Sequence, residues 1–130
     1  MSPTSSMRTP LGRVRGLGSA KEGVRHWLSQ RASAVALMIL VPWFLIGFVT
    51  AQGSGYDAAR DWIGSPLNAI LLILTLSTAF YHMRLGAQVV IEDYIGNHGT
   101  KIALLLANSF FAIALWAGSV FAVLKIAFGA

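Results

Sequence analysis

With 130 residues the chain has room for one small domain, yet 55% of it is hydrophobic and 12% charged. That charged share is about half the soluble norm, which excludes an ordinary soluble domain and points to a small integral membrane protein. Without cysteine, no disulfide, thiolate metal site or cysteine-held iron–sulfur cluster can belong to it.

The net charge of +5 comes from ten Lys and Arg against five Asp and Glu. Six of the ten (Arg8, Arg13, Arg15, Lys21, Arg25 and Arg31) lie at or before Arg31. Basic residues beside a first span are a topology signal and a lipid-surface contact. No basic patch interleaved with aromatics is present, so nucleic acid is not an expected partner.

Residues 1–20 are rich in Ser, Thr, Pro, Gly and Arg and contain no acid. That composition is shared with organellar transit peptides; the segment reads as a flexible, basic cytoplasmic arm. Residues 21–31 are polar but carry Val24, Trp27 and Leu28 at i, i+3 and i+4. This is a short amphipathic face, expected to lie on the membrane interface with Trp27 at headgroup depth.

A first span is expected over 32–51, with Pro42 kinking it or freeing the carbonyl four residues earlier. A polar loop over 52–65 follows. The second span covers 66–91, with Pro66 suited to a first helical turn. Gly96, Asn97 and Gly99 break the chain before a third span over 101–128. Residues 32–130 thus read as a three-helix transmembrane anchor. The excess of Lys and Arg before Arg31 puts the N-terminus in the cytoplasm or its equivalent, so the second span runs inward and Asp93 and Tyr94 emerge on the cytoplasmic side. The fold class expected is an all-α membrane protein, part of a heteromeric helix bundle.

Between Leu67 and Ile91 the residues able to carry charge at neutral pH are His82 and Arg84. An ionisable side chain inside a span is costly and marks a functional site by default. Asp93 lies eleven residues after His82; eleven steps of 100° return to within roughly 20° of the start, ~16 Å further along the axis. Gly86 and Thr78, one turn either side of His82, share that face. A neutral imidazole is a suitable axial ligand for haem iron, and the glycine leaves room for a flat macrocycle or a close helix. A histidine here also serves as hydrogen-bonding glue between helices, and both readings stand.

Arg84 points some 200° away from His82 and belongs to another face, suited to an acid on a partner, an anionic group or snorkelling. His98 reads as a solvated loop residue, and Trp43, Trp62 and Trp116 as packing or interfacial aromatics. Thr75, Ser77 and Thr78 are expected to bond back to their own helix carbonyls. Taken by themselves, Tyr94 reads as an interfacial anchor and Asp93 as a polar helix stop.

His82-x-x-x-Gly86 followed by Glu92-Asp93-Tyr94 resembles the second helix of the small cytochrome b membrane-anchor polypeptide of succinate dehydrogenase, respiratory complex II. The stretch from Val24-Arg25-His26-Trp27 to Gln30-Arg31-Ala32 is similar to that family's entry to its first helix. The resemblance covers about 110 residues and implies that His82 is an axial ligand of haem b iron. It implies that Arg31, and less directly His26, approach the haem propionates, and that Tyr94 and Asp93 belong to a ubiquinone site beside the iron–sulfur subunit. The partners implied are a second cytochrome b anchor subunit supplying the other haem ligand, an iron–sulfur subunit, a flavoprotein subunit and the lipid bilayer. Succinate oxidation would occur elsewhere in the complex, so this polypeptide is not catalytic alone. A bacterial plasma membrane is expected, with the mitochondrial inner membrane as alternative. The rival readings are the anchor of a fumarate reductase, and a small transporter or assembly factor without haem. The absence of an internal repeat argues against a transporter built from two inverted halves.

Overall fold

A computed structural model of the chain describes residues 9–14 and 20–129. Among them are five helices and no strand. A short helix α1 covers Pro10–Val14; of the expected N-terminal arm, residues 1–8 and 15–19 lie outside the described residues.

Helix α2 runs without a break over Ala20–Gly53. Residues 21–31 are therefore the first turns of the same helix as the first span and not a separate element. Arg25, Leu28, Gln30 and Arg31 are good helix formers, and Gly23 alone is too weak a breaker to end it. Its 34 residues give ~51 Å of helix, well beyond a ~30 Å hydrocarbon core. The helix continues through Pro42, which leaves the Met38 carbonyl without its usual intrahelical donor.

The expected 52–65 loop contains helix α3, Tyr56–Gly64. Gly55 makes the sharp entry to it, with φ at 103°, a conformation open chiefly to glycine. Ala58, Ala59, Trp62 and Ile63 have helical spacing within nine residues, and their apolar stripe has something to pack on. Trp62 lies against Gly47 of α2 and near Trp43, Phe44 and Phe48, with ring centroids 5.5, 6.4 and 6.4 Å away.

Helix α4 spans Pro66–Tyr94, with Pro66 in its first turn, and the Asn68 amide donates to the Trp62 carbonyl at 2.8 Å, joining α3 to α4. Helix α5 spans His98–Ala127. Its start is set by Asn97, whose Oδ1 accepts the Thr100 backbone N–H at 3.0 Å. His98 thus opens a helix where a loop was expected. Lys101 Nζ donates to the Glu92 carbonyl at 2.9 Å, a cation placed at the carbonyl end of α4.

Helices α2, α4 and α5 are long and apolar enough to cross a membrane. The chain's own buried cluster is small: Ala69, Leu72 and Val123, with Trp43, Phe44, Trp62 and Ile63 packed around it. It sits at the α3 end of the bundle. Most large apolar side chains of the spans, among them Met38, Ile39, Ile46, Ile70, Phe110 and Phe121, face outward. Such surface is stable where lipid or neighbouring helices cover it.

Candidate functional site

At the end of the bundle away from α3, the N-terminal half of α2 and the C-terminal half of α4 enclose a groove of about 760 Å³. Its α2 wall is Gly23, His26, Trp27, Gln30, Arg31 and Ala34, a stripe at i, i+3, i+4, i+7, i+8 and i+11. The α4 wall is His82, Gly86, Gln88, Val89 and Glu92.

His82 is held at the inner end of the groove by α2. Its Nδ1 lies 2.9 Å from Ser33 Oγ, and its Nε2 lies 3.4 Å from the Gln30 side-chain nitrogen. Ser33 is buried at 7% exposure, and its hydroxyl is also 2.8 Å from the Ser29 carbonyl and 3.0 Å from the Gln30 carbonyl. Histidine as interhelical glue and histidine as ligand are compatible here: Nδ1 makes the interhelical bond, while Nε2 has only a long contact.

Two observations favour a further occupant of the groove. His26 Nε2 and Gln30 Oε1 are buried with no hydrogen-bond partner among the described residues, and each such atom costs about 1–3 kcal/mol unless something satisfies it. A Cβ at Gly86 would meet Gln30 Nε2 at 3.5 Å, an ordinary contact. Packing within this chain therefore does not require glycine at 86. Arg31 lies at the groove with its guanidinium 5.7 Å from the centre of the Trp27 ring, a cation–π contact that holds the charge beside the opening.

The structure thus brings His82, Gly86, His26 and Arg31 to one groove. It does not bring Asp93 and Tyr94 into it: both are exposed at the end of α4, Tyr94 at 82%, and the acid lining the groove is Glu92. The Glu92 carboxylate accepts from the Gln88 amide at 2.8 Å. Among the described residues no three His, Asp or Glu side chains cluster as a metal site. A metal at His82 would take its remaining ligands from elsewhere.

Sequence reasoning assigns no role to Ser33, Gln30 or Glu92. The i, i+3, i+4 stripe through 23, 26, 27, 30, 31 and 34 is the available signal for the α2 wall. The amphipathic face expected from sequence, Val24, Trp27 and Leu28, is exposed along its length. Arg84 faces α5 and donates from Nε to Ser109 Oγ at 3.2 Å. Thr75 and Thr78 bond back to Leu71 and Leu74 as expected, but Ser77 instead accepts from the Trp116 indole at 2.9 Å.

The chain matches the family described as succinate dehydrogenase/fumarate reductase transmembrane subunit over residues 5–123. It is 34% identical to a succinate dehydrogenase hydrophobic membrane anchor subunit of Rickettsia bellii, over 85% of this chain and 88% of that one. Against the protein of the same description from Paracoccus denitrificans it is 33% identical over 94% of each chain. A succinate dehydrogenase membrane anchor subunit of Reclinomonas americana is 27% identical over 72% of this chain and 80% of its own length. No solved structure matches significantly. With three apolar spans and bacterial relatives that match nearly end to end, the chain belongs to the succinate dehydrogenase/fumarate reductase transmembrane subunit family, as a membrane anchor of succinate dehydrogenase in the bacterial inner membrane.

Proposed function

We propose that this anchor carries haem b on His82, shared with a sister anchor subunit, and helps form the site where ubiquinone is reduced. The carrying observation is the groove itself: an imidazole nitrogen with one long contact, a glycine that packing does not require, and two buried polar atoms without partners among the described residues. A haem bound there would supply a one-electron redox centre inside the membrane. Of the chain's own residues, His82 Nε2 would hold the iron from one side. Arg31 and His26 would face the propionates, and Gly86 would admit the ring. The second axial ligand would come from the sister subunit. The flavoprotein and iron–sulfur subunits would dock on the cytoplasmic face, with the N-terminus on that side by the distribution of Lys and Arg.

The quinone role rests on Tyr94 and Asp93. The Tyr94 ring is exposed and stands at the end of the second span. A phenol there can donate to a quinone carbonyl, and Asp93 beside it can pass protons as the quinone is reduced. Their exposure suits a pocket completed by the iron–sulfur subunit. Succinate is oxidised on other subunits in this reading.

The test is a dithionite-reduced minus oxidised spectrum of the complex purified through this chain, with and without His82→Ala. A b-type α band that His82→Ala abolishes is expected. An assembled His82→Ala complex with the same band and haem content would overturn the ligand assignment. A chain that purifies with no haem and no flavoprotein would favour the assembly-factor or transporter reading, and fumarate reduction as the dominant turnover would favour the fumarate reductase anchor.

A further inference from the structure

The two nitrogens of the His82 ring face different partners, and the Ser33 side decides which nitrogen carries the proton. Ser33 Oγ has a single proton and three neighbours within hydrogen-bond distance: the Ser29 carbonyl at 2.8 Å, the Gln30 carbonyl at 3.0 Å and His82 Nδ1 at 2.9 Å. The two carbonyls can only accept. A serine inside a helix donates back to the carbonyl three or four residues earlier, and this one is buried, with no competing water to expect. With its proton on a carbonyl, the hydroxyl can only accept from Nδ1. On the other side of the ring, Nε2 has only the 3.4 Å contact with the Gln30 side-chain amide, which a ligand on that nitrogen would replace.

From this geometry we infer that Ser33 is a positioning residue: it holds His82 as the Nδ1–H tautomer and turns the Nε2 lone pair into the groove. The chain of bonds runs Nδ1–H to Ser33 Oγ, then Ser33 O–H to the carbonyl of Ser29 or Gln30. Each bond polarises the next, so the ring becomes more electron-rich and a stronger donor at Nε2. The same bond fixes the ring's rotation about χ2, a torsion that is otherwise broad. This inference rests on the haem reading above and assigns the α2 residue that prepares the ligand.

The experiment uses the whole complex carrying Ser33→Ala, Ser33→Thr or Ser33→Val, with His82→Ala alongside. The haem midpoint potential is titrated at the α band, and the low-spin ferric EPR signal is recorded. Losing the acceptor makes the imidazole a weaker donor to ferric iron, so Ser33→Ala is expected to shift the potential upward and move the largest g value, while Ser33→Thr restores both. Thr and Val share a shape and differ by the hydroxyl, so if Ser33→Ala does not assemble, a difference between Thr and Val still supports the inference. Ser33→Ala with wild-type potential and EPR signal would overturn it, as would indistinguishable Thr and Val complexes. Full haem retention in His82→Ala would instead remove the ligand reading beneath it.

Discussion

Asn108 holds Arg84 across the α4–α5 seam. The Asn108 amide donates to the Arg84 backbone carbonyl at 3.0 Å, while the Arg84 side chain donates to the adjacent Ser109 at 3.2 Å. One turn of α5 therefore grips both the backbone and the charge of α4, on a face turned away from the His82 groove. Asn108→Ala should lower the stability of the complex by about 0.5–1.5 kcal/mol. Thermal unfolding in detergent would read this loss, and on the haem reading proposed above the haem spectrum should stay unchanged. A haem spectrum that moves with the stability would mean the two faces are coupled.

Gly47 is required by contact. A Cβ there would meet the Trp62 indole, 2.9 Å from its Cε2 and closer still to a neighbouring ring carbon. Gly47→Ala should destabilise the α2–α3 packing by about 1–3 kcal/mol. Combining it with Trp62→Leu should recover part of that loss, because the two residues share one contact. Strict additivity in the thermal shifts would contradict the packing described.

Gly86 differs in kind. A methyl group there makes only an ordinary contact with Gln30, so Gly86→Ala should leave the helices assembled and about as stable in the haem-free state. On the haem reading proposed above, Gly86→Val should reduce haem content severalfold, since two further carbons project into the groove. Haem per flavin in the purified complex measures this, and full occupancy with Val would show that the ring enters elsewhere.

Tyr94→Phe removes one hydroxyl from an exposed ring and leaves helix α4 intact. On the quinone reading proposed above, succinate:ubiquinone activity should fall by roughly ten- to a hundredfold, while succinate oxidation with an artificial acceptor that bypasses quinone stays at the wild-type level. Loss of both activities would indicate failed assembly.

Much of the fold is legible in the sequence because apolar runs of twenty or more residues have few alternatives in a membrane. Pro66 marks the start of α4 correctly. Asn97 reads from sequence only as part of a break, yet it caps α5, which begins at His98 and not at Lys101. Helix α3 escapes a sequence reading because Gly53-Ser54-Gly55, Asp57, Arg60 and Asp61 give its segment the composition of a loop. The stripe that makes it helical is stable against Gly47 and the aromatic rings of α2 and against the Ala69, Leu72 and Val123 cluster of α4 and α5, contacts between separate elements.

The sequence by itself determined three spans, a histidine and an arginine placed deep in the second of them on different faces, and a basic approach to the first. These follow from hydropathy, helical periodicity and the cost of charge in lipid, all of which act along one helix. Tertiary structure alone decided what stands opposite His82. That Ser33 meets Nδ1 and Gln30 meets Nε2 depends on how α2 lies against α4 over separations of 49 and 52 residues. The same packing put Glu92 in the groove and left Asp93 outside it. A residue's angle on its own helix follows from spacing, whereas the neighbour it meets is set by interhelical packing, and there a turn of a few tens of degrees changes the lining residue.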